Sequence, residues 1–466
     1  MSIISIIKER YNCAGGYREF LKIALPLIFS VGLGAIEIFT DRTFLSWYSQ
    51  EAFAASAPAG CFSWAMVAFF MGSLSYVNVF VAQYYGKKEY RSIGPAIWQS
   101  VYLTFVAALI LFCISFLLKP FFMNIGHPEA VTIEEIKYSQ ILAYGAFVWV
   151  GESVLSTFYS GRGKTIIVLM ISILGAIINT CFDYLLIFGK YGFTEMGITG
   201  AAMASNTSYF VMCVIYIILI TSKKNHITYD TRCMKLNFKF MKRLLHYGIP
   251  NGVELFFDGC GFSIFLIIIG NLGIASLAAS NIMASIYNIA YMPLLGAGMA
   301  TSVMVGKYLG ENKASSAQVS LRSSLHISYI YVILFVIAIN VFPDFFIAPF
   351  AAGAQADFIE TVKPIAKNLL VILSMFFVFD TGSVIFSSVL RGAGDTAYVM
   401  KIFIFFSIFL EIIPAYLNVV VFKNSITTAW TCFIIYVATL CFAFLYKYKT
   451  NKWKKMRVIE MDIIDG

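Results

Sequence analysis

Only one polar stretch of about twenty residues, a bilayer span's worth, interrupts the apolar pattern of this chain, at 222–243. Elsewhere long apolar runs alternate with short connections. A run of that length crosses a bilayer as a helix, because hydrocarbon offers the backbone no hydrogen-bond partner outside its own segment. Twelve runs are readable: 20–46, 53–83, 93–118, 136–160, 165–189, 198–221, 244–270, 276–307, 320–347, 360–390, 397–422 and 425–446. The longer ones must tilt or project beyond the hydrocarbon. Composition agrees, with 59% hydrophobic and 13% charged residues, where soluble domains are about a quarter charged. The expected fold class is an all-α polytopic membrane protein of twelve transmembrane helices. No gap is wide enough for a nucleotide-binding domain, and no G-x-x-x-x-G-K-[ST] occurs, so ATP is not the expected driver.

Lys and Arg set the orientation. One set of connections carries Lys87, Lys88, Arg91, Arg162, Lys164, Lys307, Lys313, Arg322 and Arg391, and the 222–243 loop adds seven more. Both ends share that side, with Lys8, Arg10, Arg18 and Lys22 before the first run and six bases over 447–457 after the last. The opposite loops are acidic, for example Glu129, Glu134, Glu135 and Glu195. Both termini are therefore expected in the cytoplasm of a cell-membrane protein. The +9 net charge reads as a topology signal rather than a nucleic-acid surface, and the basic tail suits contact with anionic lipid. Residues 1–16 are polar, so no cleaved signal is expected and the first span serves as its own.

A shift of 224 residues superposes the halves. Pro26 falls on Pro250, Ala54-Ala55-Ser56 on Ala278-Ala279-Ser280, and Gly72 on Gly296. Val79, Val81, Tyr84 and Gly86 fall on Val303, Val305, Tyr308 and Gly310. After a seven-residue slip, 161–165 (GRGKT) matches 392–396 (GAGDT). Six spans per half give a parallel repeat about an axis along the membrane normal, with substrate expected near the midplane between the copies. The expected organisation is two pseudo-symmetric six-helix lobes, 1–221 and 244–447, a cytoplasmic linker at 222–243 and a tail at 448–466.

Ionisable groups inside spans cost a few kcal/mol each, so each needs a reason. Asp41 lies late in the first span. Asn179 and Asp183 lie four apart in the fifth and share a helix face. In the second half, Glu254 and Asp258 lie one turn apart in span 7, favouring one shared ion or proton, and Asp380 lies in span 10. Glu37, Glu152 and Glu411 also fall inside or near spans. Intramembrane bases are nearly absent, so cations are expected as cargo, as coupling ion (H+ or Na+), or both. Phe256, Phe257, Phe262 and Tyr291 can line an apolar cavity that holds organic cations by cation–π contact. Pro26, Pro250 and Pro414 predict bends, and Asp395 reads as an N-cap for span 11. The nine Cys form no C-x-x-C and read as small core residues. The four His have no ligand spacing, so no metal and no cofactor are expected.

The chain resembles the MATE (multidrug and toxic compound extrusion) transporters across all twelve spans. The segments that carry the resemblance are Asp41-Arg-Thr-Phe-Leu-Ser46 with Glu51-Ala-Phe-Ala-Ala-Ser56; Val81-Ala-Gln-Tyr-Tyr-Gly86; and Asn179-x-x-x-Asp183-Tyr-Leu-Leu-Ile-Phe-Gly189. Others are Gly197-Ile-Thr-Gly-Ala-Ala202, Gly248-Ile-Pro250 with an acid eight residues on, and Leu390-Arg-Gly-Ala-Gly-Asp-Thr396. The resemblance implies a V-shaped cleft between two lobes and export of organic cations or amphipathic drugs against inward protons or sodium. It places Asp41, Asn179 and Asp183 in an N-lobe cation site, Asp258 and Asp380 at the C-lobe acidic positions, and Tyr291 in the cavity. The first C-lobe position is often Glu; here it is Asp258, with Glu254 one turn before. A monomer that alternates access, with no enzymatic activity, is the expectation. The alternative, a flippase for a lipid-linked or amphipathic precursor, needs a cationic cleft. A membrane enzyme needs a His/Asp or metal cluster at one face.

Overall fold

The computed structural model describes residues 10–351 and 356–460; Lys8 and the last residues of the tail lie outside them. The described residues form helices and turns, without strands. Among the described residues eleven helices are long and apolar enough to cross a membrane: spans 1 (Tyr17–Tyr48), 2 (Gln50–Lys87), 3 (Tyr90–Met123), 5 (Thr165–Ile187), 6 (Ile198–Ile220), 7 (Phe238–Gly270), 8 (Ile274–Gly310), 9 (Ala314–Val341), 10 (Glu360–Ala393), 11 (Thr396–Val421) and 12 (Ile426–Lys449). The twelfth, span 4, is a pair, Glu129–Tyr144 and Ala146–Ser160, bent by 44°. The sequence reads it as one straight run. At its break sits Gly145, where a Cβ would lie 2.0 Å from the Asn206 side chain of span 6. Asn206 Nδ2 donates to the Ile141 carbonyl at 2.7 Å. An inserted side chain of this kind is a recognised cause of a kink.

Prolines behave unequally. Pro26 and Pro250 lie inside unbroken helices. Pro414 lies between two π-helical segments, Ser407–Ile412 and Leu417–Val421. Proline has no N–H to donate back along the helix, and a wider register accommodates the loss. Asp395 stands at the N-cap position of span 11 but its side chain does not cap; it pairs with Lys447 of span 12 at 3.0 Å. The cysteine expectation needs correction too. All nine are free, yet only Cys213 and Cys441 are buried, and Cys61, Cys113 and Cys181 are exposed. In a membrane bundle the outer face is as apolar as the core, so an apolar run does not tell inside from outside.

Two compact units emerge, and each takes a helix start from the other half of the sequence. Of the described residues, the N-terminal unit comprises Phe29–Phe256, Gly310–Asn312 and Arg457–Glu460. The C-terminal unit comprises Arg10–Ile28, Phe257–Leu309 and Lys313–Met456, again of the described residues. Spans 1 and 7 are thus each divided, shortly after Pro26 and Pro250. In the C-terminal unit, Phe20, Ile23, Ala24 and Leu27 of span 1 join the core with Met304 and Tyr308 of span 8. In the N-terminal unit, Phe240 and Leu244 of span 7 join the core with Val77 and Phe80 of span 2. The 222–243 segment is pinned to the start of span 3: Trp98 Nε1 donates to the Thr231 carbonyl (2.7 Å), Gln99 Nε2 to the Lys235 carbonyl (2.9 Å), and Asn237 N–H to Gln99 Oε1 (2.8 Å).

Glycine permits both crossings. A Cβ on Gly72 would lie 2.8 Å from Gly252 Cα, one on Gly252 would lie 2.2 Å from the Phe69 carbonyl oxygen, and one on Gly248 would lie 2.1 Å from that of Ser73. A Cβ on the repeat-related Gly296 would lie 2.7 Å from Ile28 Cα. Here helix backbones touch directly, as small residues allow. Gly252→Val is expected to lower stability by about 1–3 kcal/mol, the usual cost of overpacking, read as a lower melting temperature in detergent. Gly32→Ala, where nothing lies within 4 Å, is expected to leave it unchanged.

Candidate functional site

In the N-terminal unit the acids converge. Gly175 on span 5 has no side chain, so span 6 approaches closely: a Cβ there would lie 2.4 Å from Met212 Sδ, and Ser208 Oγ donates to the Gly175 carbonyl at 2.8 Å. One turn along span 5 from Gly175 stands Asn179, and one turn back along span 6 from Ser208 stands Ser205. Asn179 and Asp183 are buried, as is Asp41 from span 1. With its amide nitrogen turned to the carboxyls, Asn179 donates to Asp41 Oδ1 at 3.1 Å and to Asp183 Oδ2 at 3.3 Å. Ser205 Oγ donates to Asp41 Oδ2 at 3.3 Å. The two carboxyls lie within hydrogen-bonding reach of each other. Asp183 Oδ1 is buried and has no donor among the described residues. The structure thus brings together the three residues that the sequence placed here. It adds Ser205, and also Tyr138 of span 4, whose buried hydroxyl lies in the field of both carboxylates. Arg42, next along span 1, is a base whose charge reaches Asp41, a neighbour the sequence reading passed over.

In the C-terminal unit the expected set is rearranged. Asp380 is buried, and the Tyr287 hydroxyl donates to its Oδ2 at 2.9 Å. Tyr287 stacks on Tyr291 with ring centroids 5.2 Å apart and lies 4.9 Å from the Phe376 ring. Glu411, buried on the first π-helical segment, accepts from Ser407 Oγ at 2.6 Å. Gly261 of span 7 faces this pair: a Cβ there would lie 2.9 Å from Ser407 Oγ and 3.2 Å from Glu411 Oε2. Asp258 precedes Gly261 by one turn, is exposed, and its charge bears on both Asp380 and Glu411.

Glu254 and Asp258 share a helix but not an environment. Glu254 is buried and belongs to the N-terminal unit, because span 7 passes from one unit to the other after Phe256. Phe262 is half-buried and packs on Trp430 and Phe433 at centroid distances of 6.4 and 6.0 Å. The residues that sequence reasoning missed are Arg42, Ser205, Tyr138 and Tyr287. Glu411 was visible as an acid in a span, and Tyr287 carried a weak signal as an aromatic one turn before Tyr291.

The MatE family model matches residues 26–185 and 250–417, one segment in each half. The chain is similar to a probable multidrug resistance protein NorM of Thermotoga maritima, 26% identical over 450 residues, covering 95% of this chain and 94% of the relative. A protein so described from Bacillus cereus is 24% identical over 394 residues, covering 84% of this chain and 85% of the relative. Among solved structures, a MOP superfamily transporter from Pyrococcus furiosus, described as having a binding pocket of reverse polarity that suggests a different function, shares the fold. Its TM-score is 0.86, with 17% identity over 96% of this chain and 98% of that one. An outward-facing multidrug resistance MATE family transporter gives 0.85, with 17% identity over 96% and 98%. The repeat of spans, the buried acids of each unit and the family model matched in both halves converge on one conclusion: this chain belongs to the MatE family, whose members are membrane transporters and not enzymes.

Proposed function

We propose that this chain is a secondary active exporter of organic cations or amphipathic drugs, working by alternating access against an inward proton flux through Asp41 and Asp183. What carries the reading is the buried carboxyl pair: Asp183 Oδ1 has no donor among the described residues while its carboxyl lies within hydrogen-bonding reach of Asp41. Two carboxylates so close cannot both stay ionised, and one proton held between them relieves the repulsion. Asn179 and Ser205 orient the pair. Coupling requires that the proton bind one access state better than the other, since equal affinity shifts nothing. The C-terminal unit's Asp380, Tyr287, Tyr291 and Asp258 form an acidic, aromatic surface suited to a cationic substrate.

A flippase is the weaker reading. The acids cited above fall inside spans, whereas Arg162 lies at the turn after span 4 with its guanidinium carbon 3.7 Å from the Phe158 ring centroid and 4.3 Å from that of Tyr229. That base lies against aromatic faces outside the spans that hold the acids.

Transport of a cationic dye in proteoliposomes, with a proton gradient and a sodium gradient imposed separately, tests the proposal. Proton-driven efflux is expected to fall at least about tenfold in Asp41→Asn and in Asp183→Asn, as for loss of a group needed only in the driven step. Wild-type rates in both variants, or efflux driven by sodium alone, would sink it. We also propose that the protein sits in the cell membrane with both termini on the cytoplasmic side, a reading that the Lys and Arg of the loops support. Single cysteines introduced at Glu129 or Glu134 in a background lacking native Cys are expected to react with an impermeant thiol reagent from outside intact cells. One at Lys224 is expected to react only after lysis.

A further inference from the structure

The cytoplasmic ends of the two units are finished by different pieces of chain. In the C-terminal unit, Glu19 at the start of span 1 accepts from Lys307 Nζ (2.8 Å), from the Tyr308 hydroxyl and from Gly15 N–H (3.0 Å). One carboxylate thereby fastens span 1 to the end of span 8. The 224-residue repeat carries Lys307 onto Gln83, Tyr308 onto Tyr84 and Glu19 onto Arg243. In the N-terminal unit, therefore, span 7 brings a base where span 1 brings an acid, and it has no carboxylate at that position to make the same fastening.

The chain after span 12 supplies one. Val458 N–H donates to Gln83 Oε1 at 2.8 Å in a buried bond. Val458 and Ile459 are buried in the same cluster as Phe240, Leu244 and Phe80. The Glu460 carboxylate pairs with Arg243 and, at 3.2 Å, with Lys239, both on span 7, and Lys87 Nζ of span 2 reaches the Glu460 carbonyl at 3.2 Å. Arg457 Nη2 donates to Asn312 Oδ1 at 3.3 Å. Arg243 and Lys239 hold the Glu460 carboxyl below its ordinary range. Val458, Ile459 and Glu460 thus touch span 2 on one side and span 7 on the other, while Arg457 reaches the turn between spans 8 and 9.

We propose that Arg457–Glu460 is a detachable clamp, docked in cis across the cytoplasmic ends of spans 2 and 7, and that its release speeds transport. The docking is built to be reversible. Its ion pairs are solvent-exposed, with the Glu460 side chain 60% open, and such pairs hold weakly and are screened by salt. The apolar part is two side chains. Span 7 begins in one unit and ends in the other, so alternating access must bend or turn it, and fastening its start to span 2 opposes that step. Conformational steps of this kind limit turnover in many proteins. The inference rests on the transport reading above.

The test combines Val458→Asp/Ile459→Asp and, separately, Glu460→Lys with two readouts. The first is the rate of tryptic cleavage at Lys454, Lys455 and Arg457. The second is proton-driven dye efflux in proteoliposomes. The double variant is expected to be cut faster than wild type and to transport about two- to fivefold faster at saturating dye with KM unchanged, the pattern of a relieved conformational step. Glu460→Lys is expected to follow in the same direction by a smaller factor. A synthetic peptide of sequence 453–460, enclosed with the double variant, is expected to return its rate towards wild type. Faster cleavage with unaltered turnover, cleavage no faster than wild type, or a peptide without effect would each overturn the clamp. Should the double variant melt below wild type, Glu460→Lys, whose side chain is mostly in solvent, decides the matter by the same criteria. Wild-type protein that moved no dye would overturn the transport reading instead, and cleavage would still report whether the segment docks.

Discussion

Backbone-to-backbone contact at glycine is the constraint on which both units depend. Gly72 against Gly252 in the N-terminal unit, and Gly296 against Ile28 in the C-terminal unit, let a helix from one half of the sequence lie directly on a helix of the other half. Lipid tails are as apolar as Leu, so burial alone does not draw membrane helices together, and close fit and interhelical hydrogen bonds do that work. Remove the fit at these positions and the starts of spans 1 and 7 lose their seats. The division of each of these spans between two units follows from it, and so does the separation of Glu254 from Asp258.

The same logic of small residues builds the acid pocket. Gly175 admits span 6, Ser208 bonds to the exposed carbonyl, and Ser205 is thereby delivered to Asp41. Carboxylates in such a place are tolerable because each finds polar contacts from neighbouring spans. Asp41 has Asn179 and Ser205, Asp380 has Tyr287, and Glu411 has Ser407. The two units solve this differently: a carboxyl pair bridged by an amide in one, and carboxyls held by hydroxyls beside stacked rings in the other. That difference is why the proposed function has the coupling proton bind in the first and a cationic substrate in the second.

Parts of the site were legible before any coordinates. An acid in a long apolar run is costly enough to stand out, so Asp41, Asp183 and Asp380 were visible, and the four-residue spacing put Asn179 beside Asp183. Ser205, Tyr138 and Tyr287 were not, because serine and tyrosine enter spans at little cost and occur throughout this chain. Gly145 and Asn206 together break span 4, yet neither residue alone announces a kink. The docked segment at 457–460 read as part of a basic tail, and the repeat alignment exposed the missing carboxylate only once Glu19 was seen bonded to Lys307 and Tyr308.

By itself the sequence determined the number of spans, the internal repeat and the short list of acids that demand a partner. These are properties that add up along the chain, residue by residue. Tertiary structure alone decided which acids meet, which cysteines face outward, where spans 1 and 7 change allegiance and what Val458 covers. Each of those depends on how a helix is rotated about its axis and on what lies against it. Contacts with residues hundreds of positions away set that rotation, and hydropathy carries no record of it.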